Sequence, residues 1–342
     1  MSDAFVSLQS LTLAYGDTIA VPDLSLDVRQ GELISLLGPS GCGKSTTMRA
    51  IAGLLAPRAG RIGIAGRDVT RVPANRRNVG LVFQSYALFP HLTAFENVAF
   101  GLRLKRMRGA EIERRTRDGL ATVGLDHLAR RKPAEMSGGQ QQRLALARSL
   151  VMEPDVLLLD EPLSNLDARL RLEMRNELQR VQRATGVTMV FVTHDQAEAL
   201  ALSDRIVLMR DGRIEQLDTP EGLYARPRTR FAADFVGFEN IFDVVPEGLK
   251  GPEGTVPHRV PHRVPGDVAA LAWRPGGVRV GSGELRGRVA GVAFAGTTRE
   301  YVLDSALGRI RADAPAGAER LAIGDQVAFD LPPETACPLG TA

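Results

Sequence analysis

The stretch Gly38-Pro39-Ser40-Gly41-Cys42-Gly43-Lys44-Ser45 meets the pattern G-x-x-x-x-G-K-[ST] at every fixed position, and it restricts the surrounding chain more than any other feature. Such a loop works only where a strand passes into a helix. Leu33-Ile34-Ser35-Leu36-Leu37 before it is a short apolar run of buried-strand type, and Thr46-Thr47-Met48-Arg49-Ala50-Ile51-Ala52 after it is helix-compatible. Glycines at 38, 41 and 43 let the backbone curl so that successive N–H groups face phosphate oxygens beside a helix N-terminus. Lys44 is placed to reach the β- and γ-phosphates and Ser45 to put its hydroxyl on Mg²⁺. An ordinary Gly-rich turn is the alternative, and the strand and helix on either side argue against it.

A second apolar run, Val156-Leu157-Leu158-Leu159, ends in Asp160-Glu161-Pro162. Adjacent carboxylates after a fully apolar strand suit two tasks: Asp160 to hold hydrated Mg²⁺, and Glu161 to orient or deprotonate an attacking water. A solvated acidic turn is the bland reading. Other strand ends carry weaker signals. Val79-Gly80-Leu81-Val82-Phe83 leads to Gln84, where an amide can touch Mg²⁺ or its water, and the buried run Val187 to Thr193 closes on His194, a possible γ-phosphate donor. Taken alone, a Gln or His at such a place is more often structural. Ser137-Gly138-Gly139-Gln140 opens a helix with Ser137 as N-cap, making a second anion-binding terminus. Tyr15, beside Gly16-Asp17, offers a ring for stacking on a base or is simply an aromatic at a surface turn.

Composition narrows the classes. With 342 residues the chain exceeds one ordinary domain, and its 44% hydrophobic and 24% charged fractions are those of a globular protein. No apolar run approaches the ~20 residues that span a bilayer, and the N-terminus lacks a signal-peptide pattern, so the expected location is cytosolic. A net charge of +3, from 43 basic and 40 acidic residues, gives no electrostatic case for nucleic acid. Lysine is confined to Lys44, Lys105, Lys132 and Lys250. Cys42 and Cys337 have no metal-ligand spacing; Cys42 reads as a small loop filler, with alkylation sensitivity as the alternative.

The rest of the chain supplies context. Residues 5 to 30 alternate as antiparallel strands broken at Tyr15-Gly16-Asp17 and at Val21-Pro22-Asp23, and Phe95 to Lys132 turns helical with charged, solvated faces. Leu163-Ser164-Asn165-Leu166-Asp167 enters an amphipathic helix, and Asp211-Gly212 turns a hairpin. Beyond Phe242 come short Gly- and Pro-punctuated strands suggesting a small β-barrel. Val-Pro-His-Arg is repeated in tandem from Val256, read as an exposed loop, with metal or anion binding as its alternative.

Together the phosphate loop, Gln84, Ser137-Gly138-Gly139-Gln140-Gln141, Leu157 to Pro162, Ser164-Asn165-Leu166-Asp167 and Thr193-His194-Asp195 resemble, in order, the nucleotide-binding subunit of ATP-binding cassette (ABC) transporters. Tyr86 to Thr93 and Glu161 to Ala168 resemble the bacterial importer branch. The resemblance implies an α/β fold: a P-loop NTPase cassette with an antiparallel β region and a helical subdomain at about 90–150 within residues 1–236, then an all-β, oligonucleotide-fold-like domain over 237–342. It implies ATP stacked on Tyr15, phosphates held by Gly38, Ser40, Gly41, Cys42, Gly43, Lys44, Ser45 and Thr46, and Mg²⁺ held by Ser45, Gln84 and Asp160. Glu161 is then the catalytic base, His194 the γ-phosphate contact and Gln84 the link to the membrane partner. Ser137, Gly138, Gly139 and Gln140 face ATP held by a second copy, with Asp167 communicating across that interface. Met136 stands where the family usually has Leu, a volume-conserving exchange.

The resemblance further implies permease subunits, indirectly a solute-binding protein, and a peripheral place on the cytoplasmic face of the inner membrane. The short tail resembles the polyamine, ferric iron, phosphonate and oxyanion importers, with a sugar importer carrying a regulatory tail as the alternative. A cassette acting on DNA or ribosomes is the rival outside transport. A long insertion between Lys44 and Ser137, or a second cassette, would mark it, and neither occurs.

Overall fold

A computed structural model of the chain describes residues 4–257 and 268–340. The tandem repeat from His258 onward lies outside them. Contacts divide the chain into two compact units, Met1–Pro220 and Glu221–Ala342.

In the first unit, β1 (Val6–Tyr15) and β2 (Thr18–Val28) form the expected antiparallel pair. The break expected at Pro22 is a register irregularity inside a continuous strand, between the pairs Leu11/Leu24 and Leu13/Val21, and Thr12 Oγ1 donates to Pro22 O at 2.8 Å there. β3 (Leu33–Leu37) runs into the phosphate loop and α1 (Lys44–Ala52). β4 (Ala59–Ile64) and β5 (Arg67–Asp68) complete a four-stranded sheet of order β2-β1-β4-β5. β6 (Val79–Val82) precedes α2 (Ala94–Leu104), α3 (Gly109–Thr122) and α4 (Gly138–Leu150), the helical region expected from the sequence. β7 (Val156–Asp160), α5 (Ala168–Thr185), β8 (Thr188–Thr193), α6 (Gln196–Leu202) and the hairpin β9 (Arg205–Arg210) with β10 (Arg213–Asp218) follow.

The six-stranded sheet has order β10-β9-β3-β8-β7-β6, and β9, β3, β8, β7 and β6 are all parallel. Covered faces explain the unbroken apolar runs. Leu157, Leu159, Met189 and Phe191 join a core shared with α2, α4 and α5, whereas Val156, Leu158, Val190 and Val192 join one shared with α1 and the antiparallel sheet. Because the strands are parallel, Leu37, Val82, Asp160 and Thr193 end at the same edge, where open α/β sheets bind ligands. That common edge gathers the site.

The second unit begins with α7 (Pro220–Ala225) and α8 (Arg230–Phe235). Its start lies ahead of the Val236/Gly237 boundary read from the sequence because Arg274 donates to both Tyr224 O and Val236 O. Strands β11 (Asn240–Val245), β12 (Gly248–Lys250), β13 (Thr255–Val256) and β14 (Val268–Trp273) follow, then β15 (Arg279–Phe294), β16 (Thr298–Ser305) and β17 (Gly308–Pro315), and last β18 (Gln326–Asp330) and β19 (Cys337–Gly340). They form two antiparallel sheets, β13-β12-β11-β14-β19 and β17-β16-β15-β18. Phe242, Leu271 and Trp273 of one meet Val289, Tyr301, Leu303, Ile310 and Phe329 of the other in one core. The all-β expectation holds, and the expected barrel takes the form of two sheets around one interior. Asn240, 1% exposed, joins them: its Nδ2 donates to Arg311 O and its Oδ1 accepts from Arg311 N, each at 2.8 Å.

Candidate functional site

The phosphate loop needs its glycines for space as well as for curvature. Gly38 has φ 149°, and a Cβ there would lie 2.3 Å from Met209 O; Gly43, the N-cap of α1, has φ 100°, and its Cβ would lie 2.8 Å from Val21 Cγ2. A side chain at Gly38 would have to move backbone, and one at Gly43 would meet the Val21 side chain in a conformation L residues rarely adopt. Ser40 and Gly41 are exposed, whereas Cys42 is buried with its thiol pushed up by that burial, which supports a small filler over a reactive thiol. Lys44 is buried and folded over its own loop, donating through Nζ to Gly38 O at 2.7 Å and Pro39 O at 2.9 Å. Those carbonyls satisfy the ammonium where it is buried. Tyr15 is 46% exposed at the end of β1, with its hydroxyl 3.3 Å from Arg49 Nη1 on α1. Burial draws its phenol up, but hydrogen bonding with Thr46 and Arg49 outweighs it and leaves the group below its ordinary value. The ring therefore stands beside the loop with much of its surface open.

Ser45 Oγ donates to Asp160 Oδ1 at 3.1 Å, joining the start of α1 to the end of β7. Burial raises the Asp160 pKa above the ordinary carboxylate range. A hydroxyl and a carboxylate converging from two elements make a hard-oxygen donor set that fits Mg²⁺. Glu161, next in the chain, takes the left-handed φ of 45°. A non-glycine there carries roughly 1–3 kcal/mol of strain, common where a side chain must be aimed. Its Oε2 lies 3.2 Å from His194 Nδ1 at the end of β8.

Gln84 joins neither pair. Its Nε2 donates to Ser164 Oγ at 3.1 Å, Ser164 Oγ donates to Glu161 O at 2.9 Å, and Asn165 Nδ2 donates to Gln84 O at 3.0 Å. Ser137 caps α4 in a reciprocal box, accepting from Gln140 N while Gln140 Oε1 accepts from Ser137 N. Ser137 and Gly138 are exposed; Gly139 is buried so tightly that a Cβ would lie 2.7 Å from Leu170 Cδ1 of α5. Among the described residues none of Ser137, Gly138, Gly139 and Gln140 hydrogen-bonds the phosphate loop of the same chain. Asp167, exposed, caps α5 by accepting from Leu170 N at 2.9 Å.

Ser164 enters the sequence reading only as part of a motif, without a role, and two further supporting residues, Arg148 and Arg171, escape it. Ser164 joins Gln84 to Glu161, as described. Arg148 on α4 donates to Tyr86 O at 2.8 Å and Ala87 O at 2.7 Å, holding two consecutive left-handed residues (φ 60° and 48°) just after Gln84. Arg171 on α5 donates to Leu166 O at 3.2 Å and Asp195 Oδ2 at 3.5 Å. No local pattern signals these, since each joins positions far apart in the chain.

The ABC transporter family matches residues 21–164, and the TOBE domain family matches residues 271–339. An Fe(3+) ions import ATP-binding protein of Rhizobium etli is 47% identical over 344 residues, covering 98% of this chain and 95% of that protein. A spermidine/putrescine import ATP-binding protein of Rubrobacter xylanophilus is 48% identical over 313 residues, covering 87% and 83%. Among solved structures, an ATP-binding cassette in a dimeric post-hydrolysis state with bound ADP and phosphate matches with a TM-score of 0.56 and 35% identity, over 63% of this chain and 98% of that one. Likeness of this degree along nearly the full length of both chains is more than a shared phosphate loop can produce, and the chain belongs to the ATP-hydrolysing subunits of the ABC transporter family.

Proposed function

We propose that this ATPase drives import of a small solute, of the ferric iron or polyamine class, by hydrolysing ATP at two sites that each need two copies of the chain. The observation that carries the reading is the meeting, at one sheet edge, of Ser45 with Asp160 and of Glu161 with His194. ATP phosphates take the place of the loop carbonyls on Lys44, and the adenine stacks on Tyr15. Ser45 and Asp160 would hold Mg²⁺, which would supply positive charge to offset that of the phosphates. Glu161 orients the attacking water and accepts its proton, and His194, now against Glu161, donates toward the γ-phosphate. Gln84 would have to leave Ser164 to act at such a metal. The residues assigned to the nucleotide all lie within the first unit, ahead of Glu221, and that unit is the part we take as the nucleotide-binding domain.

Ser137 and Gly138 are exposed at a capped helix start, which suits them to the phosphate of a partner's ATP. Partners are then a second copy, permease subunits and, through them, a solute-binding protein, with the chain peripheral on the cytoplasmic face. No helix among the described residues is long and apolar enough to cross a membrane. The relatives at 47% and 48% identity are named for import of two different solutes, which supports leaving selectivity to the partner subunits.

Complementation tests the composite site. Ser137→Arg should bind ATP normally yet lose turnover, Lys44→Ala should lose ATP binding, and an equal mixture of the two should regain part of the wild-type rate. A mixture as inactive as its components would overturn the two-copy reading.

A further inference from the structure

The turn between α2 and α3 differs from the helix that follows it. Arg103, Lys105, Arg106 and Arg108 are all exposed, and among the described residues none lies in an ion pair with a carboxylate. On α3, by contrast, Arg114 and Arg115 pair with Glu111, and Arg117 pairs with Glu113. The exposed face of α3 thus balances much of its own charge, and this turn does not.

The turn also holds an apolar side chain out among the cations. Leu104 is 71% exposed, while its neighbours Leu102 and Met107 pack inward on the core of the helical region. The arrangement is preformed: Arg106 N donates to Arg103 O at 2.9 Å, Lys105 N donates to Gly101 O at 3.1 Å, and Arg106 takes the left-handed φ of 54°. Leu104 lies one helical turn beyond Phe100, on the same face of α2, and the Phe100 ring sits 4.5 Å from that of Phe89 in the segment after Gln84.

We propose that this turn binds the anionic phospholipid surface beside the transporter, with Arg103, Lys105, Arg106 and Arg108 on lipid phosphates and Leu104 set shallowly among the headgroups. The inference rests on the reading of the chain as a membrane transporter subunit. Its physical basis is that long basic side chains reach outward along their stems while an apolar neighbour meets the interface. A purely acidic protein segment would satisfy the cations but offers no reason for an exposed leucine beside them in the chain.

The test is co-sedimentation of the full chain with vesicles of phosphatidylcholine alone or with about a third phosphatidylglycerol, the content needed for a negative surface. Wild type should partition onto the anionic vesicles only, and less at high salt, because exposed charges are screened. Partitioning should fall about fivefold for each of the four cations changed to Gln, and a few-fold in Leu104→Ser with its salt dependence retained. Arg114→Gln with Arg117→Gln, which removes paired cations, should partition like wild type. The ATPase rate of each variant, expected unchanged, reports folding and keeps the proposed catalytic function separate: wild type that hydrolyses ATP but ignores anionic vesicles sinks the lipid inference alone. Equal losses in the α3 variant would reduce the effect to net charge and overturn the site. So would a quadruple variant that binds vesicles normally but no longer assembles with the permease.

Discussion

The polar contacts at the sheet edge of the first unit differ from those inside the second. At the edge of the parallel sheet the polar contacts join side chains from different elements: Ser45 with Asp160, Glu161 with His194, Gln84 with Ser164. Each can be exchanged for a ligand without disturbing a strand. In the second unit the buried polar side chains hold backbone: Asn240 bonds both main-chain groups of Arg311, and Trp273 Nε1 donates to Pro332 O at 2.9 Å. Giving up those bonds means parting the sheets. The difference teaches where chemistry is possible in this chain, since a contact that must break during turnover cannot also be one that holds a core together.

Substitutions on either side should separate the two kinds of effect. The largest is expected for Glu161→Gln, which keeps the side chain's shape and removes the base; kcat should fall about 10²–10⁴-fold with ATP affinity and melting temperature little changed. A melting shift as large as the kinetic loss would mean that Glu161 serves the fold. The mirror image is Trp273→Ala. Removing a fully buried indole should cost the second unit roughly 3–5 kcal/mol in denaturant unfolding, while ATP binding persists; loss of ATP binding would show that the units are not separable. Asn240→Ala is expected to be milder, about 1–3 kcal/mol, because it leaves the Arg311 N–H and C=O without partners, and a neutral result would remove Asn240 as the link between the sheets.

Asp160 offers a gentler probe of the first unit. Its pKa is raised by burial, so on acidification it protonates at a higher pH than an ordinary aspartate and ceases to be an anionic ligand. Mg²⁺-dependent ATP binding should therefore weaken at a higher pH than an aspartate of ordinary pKa would allow, and a binding curve flat through that range would contradict the assignment. The smallest change is expected from Ser164→Ala, which frees Gln84 from a single hydrogen bond. ATPase activity without partners should shift a few-fold at most, with melting unaffected, as single neutral hydrogen bonds contribute about 1 kcal/mol.

The residues with local reasons were readable in order along the chain. Gly38 and Gly43 occupy positions no side chain can, the strand ending at Asp160 is apolar because both its faces are covered, and Ser137 caps the helix it begins. Spacing carries such information because the cause acts within a few residues. Pro22 misled for the same reason: locally it signals a break, whereas the pairing of β1 with β2 absorbs it as an irregularity.

Only the folded chain settles which groups meet. Ser164 and Gln84 are 80 residues apart, Arg148 reaches the backbone of Tyr86 from another helix, and Asn240 meets Arg311 across two sheets. The sequence by itself determined the phosphate loop, the carboxylate pair and the strands that aim them, since steric limits and apolar alternation are properties of neighbours in the chain. The tertiary structure alone decided that Glu161 lies against His194, that Gln84 is held by Ser164 and that Leu104 stands exposed beside cations without a carboxylate partner. Parallel strand order and helix packing set those distances, and no periodicity in the chain encodes them.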